Sequence, residues 1–208
     1  MFYNILDKQR LAILPLLKNF KSSFYLAGGT GLALQLGHRD SVDFDFFSLH
    51  DIDTGKLFSI IRKIFSGHKI LKVQEENNTL TVFIDDNIKL SFFTYPYKLL
   101  SRLLDEPDFK IASIMDIACM KLSAIVSRAS NKDYIDLYFI LQKISLKEIL
   151  AKLPKKLPEL EINLVLKSLV YFKDIAREPI KFKNNHNIDF KKIKEFFEKE
   201  INRFHAQP

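Results

Sequence analysis

Residues 24–47 constrain this chain more than any other stretch. The apolar run Phe24-Tyr25-Leu26-Ala27 stops at Gly28-Gly29, a helical pattern runs from Thr30 to Leu36 and stops at Gly37, and residues 42–47 then alternate. An apolar run ahead of two glycines predicts a buried strand entering a tight turn. Leu32, Ala33 and Leu36 fall on one side of the following helix, and a glycine commonly closes a helix. In residues 42–47, Phe44 and Phe46 point one way and Asp43 and Asp45 the other, because successive strand side chains take opposite faces. The expected unit is strand, glycine turn, helix, strand, with two carboxylates on the face away from the phenylalanines.

Residues 5–20 have helical spacing with an expected break or kink at Pro15. An amphipathic helix is expected over 54–67. Strands are expected over Thr79–Ile84 and Ile88–Thr94, joined by a hairpin turn at Asp85-Asp86-Asn87. After Pro96 the pattern becomes helical, with helices near 97–104, 113–129, 132–142, 145–152, 159–176 and 189–204. The reading is α+β: an α/β region over 1–100 with a mixed sheet, then a helical region over 101–208, the boundary lying near 96–110.

Composition narrows the class. The single cysteine, Cys119, excludes a disulfide framework within the chain and a multi-cysteine zinc site. It sits in an apolar helix pattern and reads as core. No apolar run reaches the roughly 18 residues of a membrane span, and Asp7, Lys8 and Arg10 make the start of the chain unlike a signal peptide. The expected compartment is the cytoplasm, without a membrane partner. Net charge is +7, and residues 143–208 hold 15 basic against 9 acidic side chains. Lys152–Lys156 and Lys181–Lys194 read either as solvated faces or as a surface for nucleic acid, with Phe182 and Phe190 as core anchors.

Three groups of residues carry chemistry. Gly28-Gly29-Thr30 at a strand-to-helix turn lets backbone N–H groups approach a phosphate, helped by the positive end of the helix, or is a plain turn with Thr30 as cap. Asp43 and Asp45 share a strand face and repel unless neutralised, by a divalent metal with phosphate oxygens or by water and Arg39. Lys121 and Arg128 stand seven residues apart on one helix face, ahead of Lys132-Asp133-Tyr134-Ile135-Asp136. These cations and carboxylates either hold a triphosphate or pair with each other on a helix surface. His38 has no partner at ligand spacing, and His50, His68, His186 and His205 read as surface residues.

The segments Leu26-Ala27-Gly28-Gly29-Thr30-Gly31-Leu32-Ala33-Leu34 and Leu36-Gly37-His38-Arg39-Asp40-Ser41-Val42-Asp43-Phe44-Asp45-Phe46-Phe47, with Lys121-Leu122-Ser123-Ala124 and Lys132-Asp133-Tyr134-Ile135-Asp136-Leu137, resemble the AbiEii/AbiGii toxin family, which includes the MenA-type toxins. The resemblance spans roughly residues 5–142. It implies a polymerase-β-like nucleotidyltransferase core. Gly28, Gly29 and Thr30 would hold triphosphate oxygens, with Lys121 and Arg128 as further nucleotide contacts. Asp43 and Asp45 would hold Mg²⁺ or Mn²⁺, and Asp133 or Asp136 would be a further catalytic or positioning carboxylate. It also implies an NTP substrate, an RNA acceptor such as the tRNA 3′ end, a role in toxin–antitoxin or abortive-infection defence, and a cognate antitoxin.

One departure stands out. Many nucleotidyltransferases carry a third carboxylate on the strand after the Asp-x-Asp strand, where this chain offers Ser91. That leaves two alternatives beside RNA modification: a degenerate member that binds nucleotide or RNA without chemistry, and an NTP-dependent modifier of a protein hydroxyl.

Overall fold

The structure, a computed structural model, describes residues 1–206, except for the side chain of His205, which was expected at the surface and lies outside the described residues. The elements run α1 (Lys8–Leu17), β1 (Tyr25–Leu26), α2 (Gly28–Leu36), β2 (Phe44–Ser48), α3 (Thr54–Ile64), β3 (Ile70–Glu76), β4 (Thr79–Ile84), β5 (Ile88–Thr94), β6 (Leu104–Asp105) and β7 (Lys110–Ile111). The helices α4 (Ile114–Ser127), α5 (Asn131–Leu141), α6 (Leu146–Lys156), α7 (Ile162–Leu169) and α8 (Phe190–Ala206) follow.

The strands form one mixed sheet in the order β3-β4-β5-β2-β1-β7-β6. β2 runs parallel to β5 and antiparallel to β1, and β1 runs parallel to β7. One face carries Phe44, Phe46, Leu80, Val82, Leu90 and Phe92, all buried under α1 and α3. Phe46 stacks on Phe92 with ring centroids 5.2 Å apart. The phenylalanines therefore anchor β2 from below, and the pleat turns Asp45 to the other face. On that face, Tyr25 and Ala27 join a second core with α2 and α4 to α8.

Four expectations are corrected. Pro15 does not break α1, which runs two residues past it into a 3₁₀ turn at Lys18–Phe20. No helix forms at 97–104, whose end instead contributes β6. β3 was not expected because it is an edge strand with six of its seven residues exposed, so burial imposes no alternation on its sequence.

The helix expected over 159–176 is confined to Ile162–Leu169. From Val170 to Asp189 the chain is an irregular strap. Asn184 and Asn185 take positive φ, which helices exclude. The strap is nonetheless well tied. Near its middle it bonds the α4–α5 turn, Asn131 N–H to the Ala176 carbonyl and Ala176 N–H to the Ala129 carbonyl. Further on it bonds the loop after α2, Asp40 N–H to the Lys181 carbonyl and Lys183 N–H to the His38 carbonyl.

Candidate active site

The glycine turn forms as expected, but α2 starts at Gly28 and Thr30 is not its cap. The N–H groups of Gly28, Gly29 and Thr30 donate to no acceptor among the described residues, which leaves the positive end of the helix open to an anion. Gly28 has φ +62°, and a methyl group there would lie 2.9 Å from Asp45 Oδ2. The turn and the carboxylate are thus in van der Waals contact, which only glycine permits. Gly28→Ala is expected to destabilise the fold by about 1–2 kcal/mol through the left-handed backbone and to displace Asp45. Thermal unfolding and transfer rate, measured together, check both effects.

Two ties hold the entry to β2. Thr30 Oγ1 donates to the Asp43 carbonyl and lies 2.8 Å from Ser41 Oγ. Arg10, which the sequence reading used only as a charge, is buried and donates to the Val42 and Asn87 carbonyls. Thr30 therefore fixes the Asp43 backbone with its hydroxyl and meets the turn's opening with its N–H. Beside them, the Asp43 and Asp45 side chains have no hydrogen-bond or ion-pair partner among the described residues. Burial, with the Asp43 charge beside it, pushes the Asp45 carboxyl above its ordinary range, against opposing pulls from Lys89, Lys121 and Arg128.

No group of three or more His, Cys, Asp or Glu side chains able to hold a metal converges among the described residues. Two carboxylates and helix N–H groups that have no partner among the described residues still fit Mg²⁺, which takes one or two carboxylates and completes its shell with water and substrate phosphates. Ser91 pairs directly across from Asp45 in the β2–β5 register, so the position of the missing third carboxylate is filled by a buried hydroxyl 3.4 Å from Thr81 Oγ1.

The late motif is a buried charge cluster. Lys121 Nζ lies 2.8 Å from Asp133 Oδ1 and 2.6 Å from Asp136 Oδ2. Asp136 also accepts from Arg39 Nε at 2.7 Å, from Arg39 Nη2 at 2.8 Å and from His38 Nε2 at 2.7 Å. Burial alone would raise its pKa, but Arg39, Lys121 and the His38 hydrogen bond hold it well below the usual carboxylate range. Asp136, fully buried, is therefore saturated by protein donors. Asp133 meets Lys121 and the largely exposed Arg128, whose Nε is 3.3 Å away. Arg128 also lies within the field of Asp45, which joins the late motif to the early one.

Three sequence readings change here. Arg39 is not the counter-charge of Asp43 and Asp45, because its guanidinium is clamped on Asp136. His38, set aside before, is a fully buried part of that clamp, and burial lowers its pKa so that it stays neutral. Lys156 is not a surface cation, because it is buried with its Nζ 2.9 Å from Asp116 Oδ1. The partners could not be read from spacing, since Asp136 lies 97 residues from Arg39.

Comparison with known proteins places the chain. The profile described as "Nucleotidyl transferase AbiEii toxin, Type IV TA system" matches residues 16–204. An uncharacterized protein of Aquifex aeolicus is 39% identical over 189 residues, covering 88% of both chains. MenT4, a nucleotidyltransferase toxin of Mycobacterium tuberculosis, shares the fold with a TM-score of 0.63 at 13% identity, over 95% of this chain and 83% of that one. JHP933 of Helicobacter pylori does so with a TM-score of 0.57 at 19% identity, over 96% and 93%. With the match spanning both the glycine–carboxylate turn and the late charge cluster, the chain belongs to the AbiEii nucleotidyltransferase toxin family of type IV toxin–antitoxin systems.

Proposed function

We propose that this protein is a Mg²⁺-dependent nucleotidyltransferase that moves a nucleoside monophosphate from an NTP to an RNA acceptor, the tRNA 3′ end, in the cytoplasm. The observation that carries the reading is the Asp43–Asp45 pair, without a hydrogen-bond or ion-pair partner among the described residues, with Asp45 against a glycine turn whose N–H groups donate to none of those residues. Asp43 and Asp45 would hold the divalent ion. When bound, it supplies charge neutralisation at the triphosphate and at the attacking oxygen.

The N–H groups of Gly28, Gly29 and Thr30 orient phosphate oxygens. Lys121 keeps one N–H beyond those directed at Asp133 and Asp136, and Arg128 presents its exposed donors from the same side. The acceptor 3′-oxygen forms the new bond to the α-phosphorus, the bond to the bridging oxygen breaks, and pyrophosphate leaves. The attacking hydroxyl gives its proton to water, since Ser91 stands where another carboxylate would take it. Catalysis then rests on positioning and fixed charge. Asp136 acts as a positioning residue for Lys121, and Asp133 is the carboxylate nearer the substrate through Arg128. Silencing falls to an antitoxin partner.

Ser91 is the observation that favours the second reading, a non-catalytic nucleotide binder. Transfer of label from each α-labelled NTP to total tRNA, with Mg²⁺ and with EDTA, decides between them. Label on tRNA that disappears with EDTA is expected. Mg²⁺-dependent NTP binding with no label on tRNA or protein would favour the binder, and label on protein alone would move the acceptor to a protein hydroxyl.

A further inference from the structure

Beside Arg128 a cavity of about 250 Å³ opens between the end of α4 and the start of the strap. It is smaller than the roughly 300–1,000 Å³ of sites for drug-sized ligands, a size for a flat ring system. Its walls include Val126, Ser127, Arg128, Tyr134, Tyr171 and Asp174. Resting on the nucleotidyltransferase reading above, we propose that this cavity holds the base of the incoming NTP, and that it favours a base bearing an exocyclic amino group.

Three features support this. First, Tyr171 is half exposed yet fixed at both ends. Its hydroxyl donates to Asp174 Oδ2 at 2.8 Å, and its carbonyl oxygen lies 3.1 Å from the Tyr134 hydroxyl. A ring held in place without being buried presents a ready stacking face. Second, the carbonyls of Ile125, Val126 and Ser127 at the end of α4 accept no hydrogen bond from a described residue. They form the negative end of a helix and call for N–H donors. Adenine, cytosine and guanine offer an amino group, whereas uracil has only its ring N–H. Third, Arg128 borders the cavity and contacts Asp133 of the phosphate cluster. One nucleotide spans base and phosphates through a single ribose, so one ligand satisfies both ends.

Equilibrium binding of ATP, CTP, GTP, UTP and inorganic tripolyphosphate, each with Mg²⁺, tests the assignment on wild type, Tyr171→Ala, Tyr171→Trp and Asp45→Asn. Tyr171→Ala is expected to weaken binding of the preferred NTP about tenfold or more without changing tripolyphosphate binding. Tyr171→Trp is expected to restore it, and wild type to bind UTP most weakly. An unchanged NTP affinity in Tyr171→Ala, an equal loss for tripolyphosphate, or tightest binding of UTP would each overturn the assignment. When one of these results is seen and tripolyphosphate still binds wild type but fails with Asp45→Asn, the phosphate site stands and only the base site falls. If wild type binds neither NTP nor tripolyphosphate, both fall together.

Discussion

Asp45→Asn is expected to cut nucleotidyl transfer by about 10²–10³-fold or more while leaving the protein at least as stable as wild type. Loss of activity follows from the position of the carboxylate, in contact with the glycine turn and with no protein donor among the described residues to neutralise it. Retained stability follows from its pKa. Burial and the Asp43 charge favour the protonated form of Asp45 in the folded state, so an uncharged amide of the same shape relieves a cost. Urea unfolding beside the transfer assay separates the two effects. If Asp43→Asn and Asp45→Asn both retained full activity, the metal-binding role of the pair would be wrong.

Asp136→Asn is expected to act on stability first, destabilising the fold by about 3–5 kcal/mol. The substitution leaves Arg39 and Lys121 buried with an amide in place of a carboxylate, and presents an N–H₂ group toward donors. The pH dependence follows from the depressed pKa. Asp136 contributes stability that is fully present above the unfolded carboxylate value of about 3.9. That stability is lost as pH falls through the lower folded value. Below about pH 4 the stability curves of wild type and Asp136→Asn should therefore converge. Urea midpoints between pH 3 and pH 7 measure this, and curves that stay parallel throughout would show that Asp136 is not the group being titrated.

The contrast between these carboxylates was only half legible in the sequence. Alternation around Phe44 and Phe46 gave the strand, its buried face and the shared face of Asp43 and Asp45. Glycine and the apolar run gave the turn. These are local properties, set by pleat and backbone freedom. The partners of Asp136 and Lys156 are not local. Spacing alone showed that Lys121, Arg128, Asp133 and Asp136 lie close along two helices, but not which of them the loop after α2 would claim. The strap was missed for a similar reason. Phe172 and Ile175 lie in the part of it expected to be helical and pack on the core, which mimics helical patterning. β3 escaped because an exposed edge carries no burial signal.

The long reach of these ties sets an order of events during synthesis. Asp43 and Asp45 emerge early, but Arg39 cannot be clamped until Asp136 has been made, and the Asp40 loop is not tied down until Lys181 and Lys183 arrive. At about 5–20 residues per second, several seconds or more separate the synthesis of the carboxylate pair from that of Asp136. The site as described can therefore be complete only once residues 181–183 have been made, since the Arg39 clamp waits for Asp136 and the ties of the His38–Asp40 loop wait for Lys181 and Lys183.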